Sequence, residues 1–210
     1  MSDRYPLAEL ADLPGDLRER ILAEQEKAGF VPEVFLMFGR RPAESRAFFA
    51  YHDALMEREG NLSKADKEMI VVTISGQNNC LFCVVAHGAI LRIVKKAPQI
   101  ADQLAVNYRK ADLTPREREI CDFATKVNLR SDELCDADFA ALHEHGLDDE
   151  DAWDIAAITG IDDHRYRVVG AWAGVRQHPC RLGGFDRFGS RAGGGGRDAV
   201  RQLHHAGRRP

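Results

Sequence analysis

The chain has 210 residues, 44% of them hydrophobic and 30% charged, the make-up of an ordinary globular protein, which argues against a disordered or membrane-embedded chain. Its formal charge of −4 is unevenly spread: residues 161–210 hold ten Arg against four Asp, neither Lys nor Glu follows Glu150, and residues 1–160 therefore carry −10. The longest apolar stretch, "CLFCVVAHGAILRIV", is interrupted by His87, Gly88 and Arg92, so no membrane partner is expected.

In chain order, the acidic start "MSDRYPLAELADLPGDLRER" has no apolar core of the signal-peptide kind. The first helix is expected in "GDLRERILAEQEKAG", where Leu17, Ile21, Leu22 and Ala28 share one stripe that stops at Gly29. "RPAESRAFFAYHDALMEREG" opens with Pro42, tolerated in a first helical turn, and runs to a glycine. "NLSKADKEMIVVTISG" has Ser63 as N-cap, Asp66 at the third helical position and Gly76 as a stop. Its "MIVVTIS" is β-rich in isolation, but continuity with the capped start predicts a buried helix. In "LTPREREICDFATKVNL", Thr114 caps, Pro115 begins the helix and Glu117 reaches back. "DADFAALHEHG" and "DDEDAWDIAAITG" repeat an acidic start and a glycine end. With strand signals nearly absent, the fold class is all-α: a bundle of short antiparallel helices over 1–160, followed by an irregular Arg/Gly-rich tail over 161–210. That tail is read as disordered, with no nucleic-acid partner, since Phe185 and Phe188 alone make no aromatic stacking pattern.

The stretch "NNCLFCVVAHGAILR" carries the chemistry. With Asn78 or Asn79 as N-cap, Cys80 would enter the first turn of a helix running toward Lys95 and Lys96, and Cys80, Cys83 and His87 would share one face. A first-turn thiol meets the positive end of the helix dipole, which favours thiolate at Cys80. Proximity to His87, a ready proton carrier, favours Cys83 instead. The spacing leaves that choice open. A relay also needs a terminal base, and Glu68, flanked by Met69, Ile70, Val71 and Val72, serves if its helix folds back onto the cysteine stripe. Otherwise Glu68 is a solvated charge beside Lys64 and Lys67. Cys121, Cys135 and Cys180 are read as free thiols, His52, His143 and His145 as ordinary histidines. With no signal-peptide core a cytoplasmic protein is expected, and in that reducing setting five cysteines argue against a structural disulfide framework. Structural zinc needs four ligands, and no second close cysteine pair exists, so neither metal nor cofactor is expected.

On "EMIVVTISGQNNCLFCVVAHGAILR" the chain resembles the alkylhydroperoxidase D (AhpD) family of the carboxymuconolactone decarboxylase superfamily, and more narrowly its peroxidase-related branch. The likeness extends from "VPEVFLMFGRRPAESRAFFAYHDALM" through "NYRKADLTPREREICDFATKV" to "LDDEDAWDIAAI". Glu68, Cys80 twelve residues on, then Cys83 and His87 make a specific pattern where a bare Cys-x-x-Cys would not. The resemblance implies an AhpD-like helical bundle and a thiol-dependent peroxidase. Cys83 would be the peroxidatic cysteine, Cys80 the resolving one, and Glu68 with His87 the proton relay. It further implies a small-molecule hydroperoxide as substrate, a dithiol reductant (a lipoyl protein or a thioredoxin-like one), and a homo-oligomer, trimer or hexamer.

The sequence departs from the pattern twice. Phe82 stands where the best-studied family type has a histidine. After "DIAAIT" an aromatic-rich ending with an Asn-Arg pair is expected, and the abrupt loss of Lys and Glu fits translation of a shifted reading frame. Two rival functions remain: a lactone decarboxylase or isomerase using Glu68 and His87 as acid and base, and a helical module whose thiols bind zinc.

Overall fold

The computed structural model describes residues 6–29 and 31–162. Nine α-helices are formed among them: α1 (Gly15–Ala28), α2 (Glu33–Gly39), α3 (Pro42–Met56), α4 (Lys64–Gln77), α5 (Leu81–Lys95), α6 (Ile100–Asn107), α7 (Pro115–Arg130), α8 (Asp136–Glu144) and α9 (149–162). Among the described residues there is no strand, and no helix is long and apolar enough to cross a membrane. The fold is the all-α bundle expected from the sequence. The Arg/Gly-rich segment and its reading-frame interpretation lie, from residue 163 on, outside the described residues.

Helix α4 is the axis of the bundle, and every residue from Asp66 to Ser75 is buried. One side, through Met69 and Val72, meets Leu91 of α5, Ile100 and Leu104 of α6 and Cys121 of α7. The other, through Ile70, Val71 and Ile74, meets Ile120 and Phe123 of α7, Leu142 of α8 and Ile155 and Ile158 of α9. Apolar cover on all sides explains why a β-branched run is helical here: burial outweighs a local preference worth at most about 1 kcal/mol per residue.

The capping boxes of α4 and α7 form as read. Ser63 Oγ accepts from Asp66 N at 3.1 Å while Asp66 Oδ2 accepts from Ser63 N at 2.9 Å. Glu117 Oε2 accepts from Thr114 N at 2.9 Å, and Thr114 Oγ1 accepts from Glu117 N at 3.3 Å.

Three boundaries and one stripe position differ from the reading. Leu22 is 42% exposed, whereas Leu17 and Ile21 are buried as expected. Helix α3 stops at Met56, short of Gly60, and buried Lys67 donates from Nζ to Leu55 O in its last turn (2.8 Å) and to Arg58 O just beyond it (2.5 Å). Burial pushes the Lys67 pKa down, against the opposing charge of Asp154. Gly76 lies inside α4: a Cβ there would come within 2.5 Å of Ala105 O, so this glycine serves the close crossing of α4 over α6. Helix α9 continues past Gly160 to residue 162. The short helices α2 and α6 were not anticipated.

Candidate active site

The α4–α5 junction delivers the cysteines. Asn79 adopts the left-handed conformation (φ 56°), with its N–H on Gly76 O (3.2 Å) and that of Cys80 on Ser75 O (2.9 Å), the two bonds of a Schellman motif. Asn79 is thereby used to end α4, and Cys80 itself becomes the N-cap of α5, its Sγ accepting from Cys83 N at 3.4 Å. Neither Asn78 nor Asn79 caps α5, as the sequence had suggested. Cys80 and Cys83 are joined as a disulfide. Cys83 is closed to solvent at 0% exposure, Cys80 slightly open at 5%. Phe82, between them, packs toward Val34 and Met37 of α2.

The proviso on Glu68 is met in space. Helices α4 and α5 pack along each other, and His87 Nδ1 lies 2.7 Å from Glu68 Oε2, with Glu68 3% and His87 7% exposed. A carboxylate can only accept, so the bond assigns the imidazole proton to Nδ1 and leaves Nε2 on the opposite ring edge. His87 stands one helical turn beyond Cys83 on the same face of α5. Two thiol-derived sulfurs and an imidazole–carboxylate pair thus occupy neighbouring turns of one buried seam. The solvated-charge reading of Glu68 fails because α5 covers it.

Two features escaped the sequence reading. Asn128 of α7 clasps the end of α4: its amide donates to Gln77 Oε1 (3.1 Å) and Asn78 Oδ1 (3.2 Å), and it accepts from Asn78 Nδ2 (3.3 Å). Gln77 in turn donates to Thr125 Oγ1 at 2.7 Å. Secondly, a small cleft with room for about one water molecule opens onto His87 and is lined by Phe48, His52 and Met56 of α3, Val71 of α4, and Ile161 and Asp162 of α9. The i, i+4, i+8 spacing of Phe48, His52 and Met56 was the available signal. Beyond the seam, His143 is bonded to Asp149 at 2.8 Å, and Cys121 and Cys135 are free thiols, buried and exposed respectively.

The fold and seam define an all-helical protein with a Cys-x-x-Cys redox pair at a helix start, backed by a buried His–Glu pair. Residues 42–106 match the model of the carboxymuconolactone decarboxylase family. A solved structure from Ralstonia eutropha JMP134, described as an alkylhydroperoxidase AhpD core and an uncharacterized peroxidase-related protein, is 61% identical, with 80% of this chain and 88% of that one covered at a TM-score of 0.78. An uncharacterized peroxidase-related protein from Silicibacter sp. TM1040 is 40% identical, with 80% and 87% covered at a TM-score of 0.75. The debrominase Bmp8, at 20% identity and a TM-score of 0.68, shares the fold. No curated protein matches. The chain belongs to the carboxymuconolactone decarboxylase superfamily, as an AhpD-like member whose relatives at 61% and 40% identity are peroxidase-related proteins.

Proposed function

We propose that this protein is a thiol-dependent peroxidase that reduces small-molecule hydroperoxides through Cys80 and Cys83. In its reduced state the Cys83 thiolate attacks one peroxide oxygen, the O–O bond breaks, and the products are a Cys83 sulfenic acid and an alcohol. The Cys80 thiol then condenses with the sulfenic acid, giving the disulfide and water. His87, held by Glu68, takes up the Cys83 proton and returns it to the departing alkoxide, and in the condensation it carries the Cys80 proton to the hydroxide that leaves the sulfenic sulfur as water. An external dithiol, such as a lipoyl protein or a thioredoxin-like protein, restores the pair. Its first bond would form at Cys80, the sulfur with the greater exposure.

The observation that carries this reading is the coincidence of a Cys-x-x-Cys disulfide with a buried His87–Glu68 pair one turn away on the same face. A zinc-binding role would hold both sulfurs as thiolates and use neither in a redox cycle. A lactone decarboxylase or isomerase would use Glu68 and His87 without sulfur. Replacing Cys83 with Ser separates these readings: cumene hydroperoxide turnover with a dithiol should vanish, whereas retained turnover overturns the peroxidase assignment.

Two wider features belong to the same proposal. The exposed face of α5 shows Leu81 (75% exposed), Val85 (60%), Ala89 and Ile93 (74%) at four-residue intervals, an apolar stripe that suits a homo-oligomer, trimer or hexamer. The exposed free thiol of Cys135 suits a reducing, cytoplasmic setting.

A further inference from the structure

The two sulfurs of the redox pair are carried by different parts of the chain. Cys83 lies inside α5, whereas Cys80, at φ −82° and ψ 88°, stands outside the helical repeat. It is held from two sides: its N–H is on Ser75 O of α4 at 2.9 Å, and its C=O accepts from Val84 N of α5 at 3.0 Å. Sulfur is a weak acceptor, so the contact from Cys83 N at 3.4 Å adds little to that placement. Where the Cys80 sulfur stands relative to Cys83 is therefore set by where the end of α4 stands relative to α5.

The end of α4 is in turn fixed by α7. The two helices are bonded rung by rung, Thr73 Oγ1 to Cys121 Sγ at 3.5 Å, Gln77 Nε2 to Thr125 Oγ1 at 2.7 Å, and lastly Asn78 to Asn128. At this last rung Asn128 gives both of its amide hydrogens, to Gln77 Oε1 (3.1 Å) and Asn78 Oδ1 (3.2 Å), while its Oδ1 accepts from Asn78 Nδ2 (3.3 Å). Two donations and one acceptance from so short a side chain are open only to asparagine; serine can donate once and aspartate not at all. Asn78 is the C-cap of α4 and stands two residues before Cys80, so the reciprocal amide pair fixes both the distance and the plane of the turn that leads to the sulfur.

Resting on the peroxidase reading above, we propose that Asn128 is a positioning residue for the redox pair: it pins the end of α4 so that the Cys80 sulfur stands where it can close on Cys83. In that closure the S–S bond forms as the S–O bond of the Cys83 sulfenic acid breaks, and the hydroxide leaves as water with the Cys80 proton. The attacking sulfur must approach opposite the departing oxygen, so the step depends steeply on where Cys80 is held. Peroxide cleavage uses Cys83 and His87, both on α5, and does not draw on that position. Asn128 thus acts on ring closure and leaves the first step alone. Because the clasp grips the preceding turn and not Cys80 itself, it leaves the sulfur open to exchange with an external dithiol.

The property to measure is the effective concentration of one sulfur at the other. Wild type and Asn128→Ala are equilibrated in glutathione buffers, and the oxidised fraction gives the constant for exchanging glutathione disulfide for the Cys80–Cys83 bond. In the variant that constant should fall about tenfold, a rise of about 30 mV in reduction potential. Asn78→Ala cuts the same clasp from the α4 side; it should give a similar shift, and the double variant no larger one. In a single turnover with cumene hydroperoxide and dimedone, peroxide consumption should stay within about twofold while the ratio of Cys83 adduct to disulfide rises about tenfold. An unchanged constant would overturn the proposal. So would additive shifts in the double variant, or peroxide consumption slowed as much as closure, since either makes Asn128 a general prop of the fold. Wild-type thiols left intact by the hydroperoxide, beside the expected shift in the constant, would overturn the peroxidase reading and uphold the clasp.

Discussion

Cys83 and Cys121 are equally shut off from solvent, yet their surroundings suit them to different fates. Cys83 has Cys80 as sulfur partner and His87 a turn away, whereas Cys121 has apolar neighbours and a single hydroxyl, Thr73 Oγ1, donating to its sulfur at 3.5 Å. Burial pushes the Cys121 thiol up to about 12. Two outcomes follow at this scale. In native protein treated with iodoacetamide at pH 8, peptide mass spectrometry should find Cys135 alkylated and Cys121 untouched. The shift also ties stability to pH. The unfolded thiol ionises from its ordinary value of 9.0, the folded one only near 12, so above pH 9 the unfolded state holds fewer protons and this group's contribution falls as pH rises toward 12. Cys121→Ala should therefore lose less thermal stability than wild type between pH 9 and pH 11, measured as the difference in Tm at each pH. A parallel decline in both proteins would remove Cys121 as the cause.

The junction between α4 and α5 is where element-scale demands are tightest. Gly76 permits a backbone crossing that any Cβ would obstruct, since the obstacle is the Ala105 main chain and not a side chain that could rotate away. Gly76→Ala should cost about 1–3 kcal/mol in urea unfolding, the range for forcing atoms into a packed site. Asn79 offers the complementary test: Asn79→Gly should be tolerated at its positive φ, while Asn79→Val should cost about 1–2 kcal/mol. These residues also mark what the sequence could and could not disclose. The starts of α4 and α7 were legible because a capping box is a local signal, complete within four residues. Helices α2 and α6, with seven and eight residues, span too few turns to establish a period. Asn78 and Asn79 looked like caps for α5 because asparagine favours both N-caps and left-handed turns, and only the chain's path shows which preference is used. The Glu68–His87 bond was visible only as a condition, since it depends on α5 folding back against α4. The place of His52 beside His87 was not legible because it depends on α3, α5 and α9 meeting at one cleft.

On the scale of the whole molecule, the bundle buries its chemistry on one side of α5 and leaves an apolar stripe on the other. If that stripe is covered by further copies of the chain, light scattering coupled to size exclusion should give a mass three or six times 23.4 kDa. Val85→Glu combined with Ile93→Glu should shift the protein toward monomer, because charges placed at the centre of an apolar contact cannot be desolvated cheaply. A wild-type monomer, or an unchanged mass in the double variant, would remove the stripe as an interface. The central claim concerns the seam beneath it: that Cys83 is oxidised by peroxide and Cys80 resolves it. It is tested most directly by adding one equivalent of cumene hydroperoxide to pre-reduced wild type and Cys80→Ser in the presence of dimedone, then mapping thiols and adducts by mass spectrometry. The account predicts loss of the Cys80 and Cys83 thiols as an internal disulfide in wild type, and a dimedone adduct at Cys83 in the variant. Unchanged thiols, or an adduct elsewhere, would contradict it.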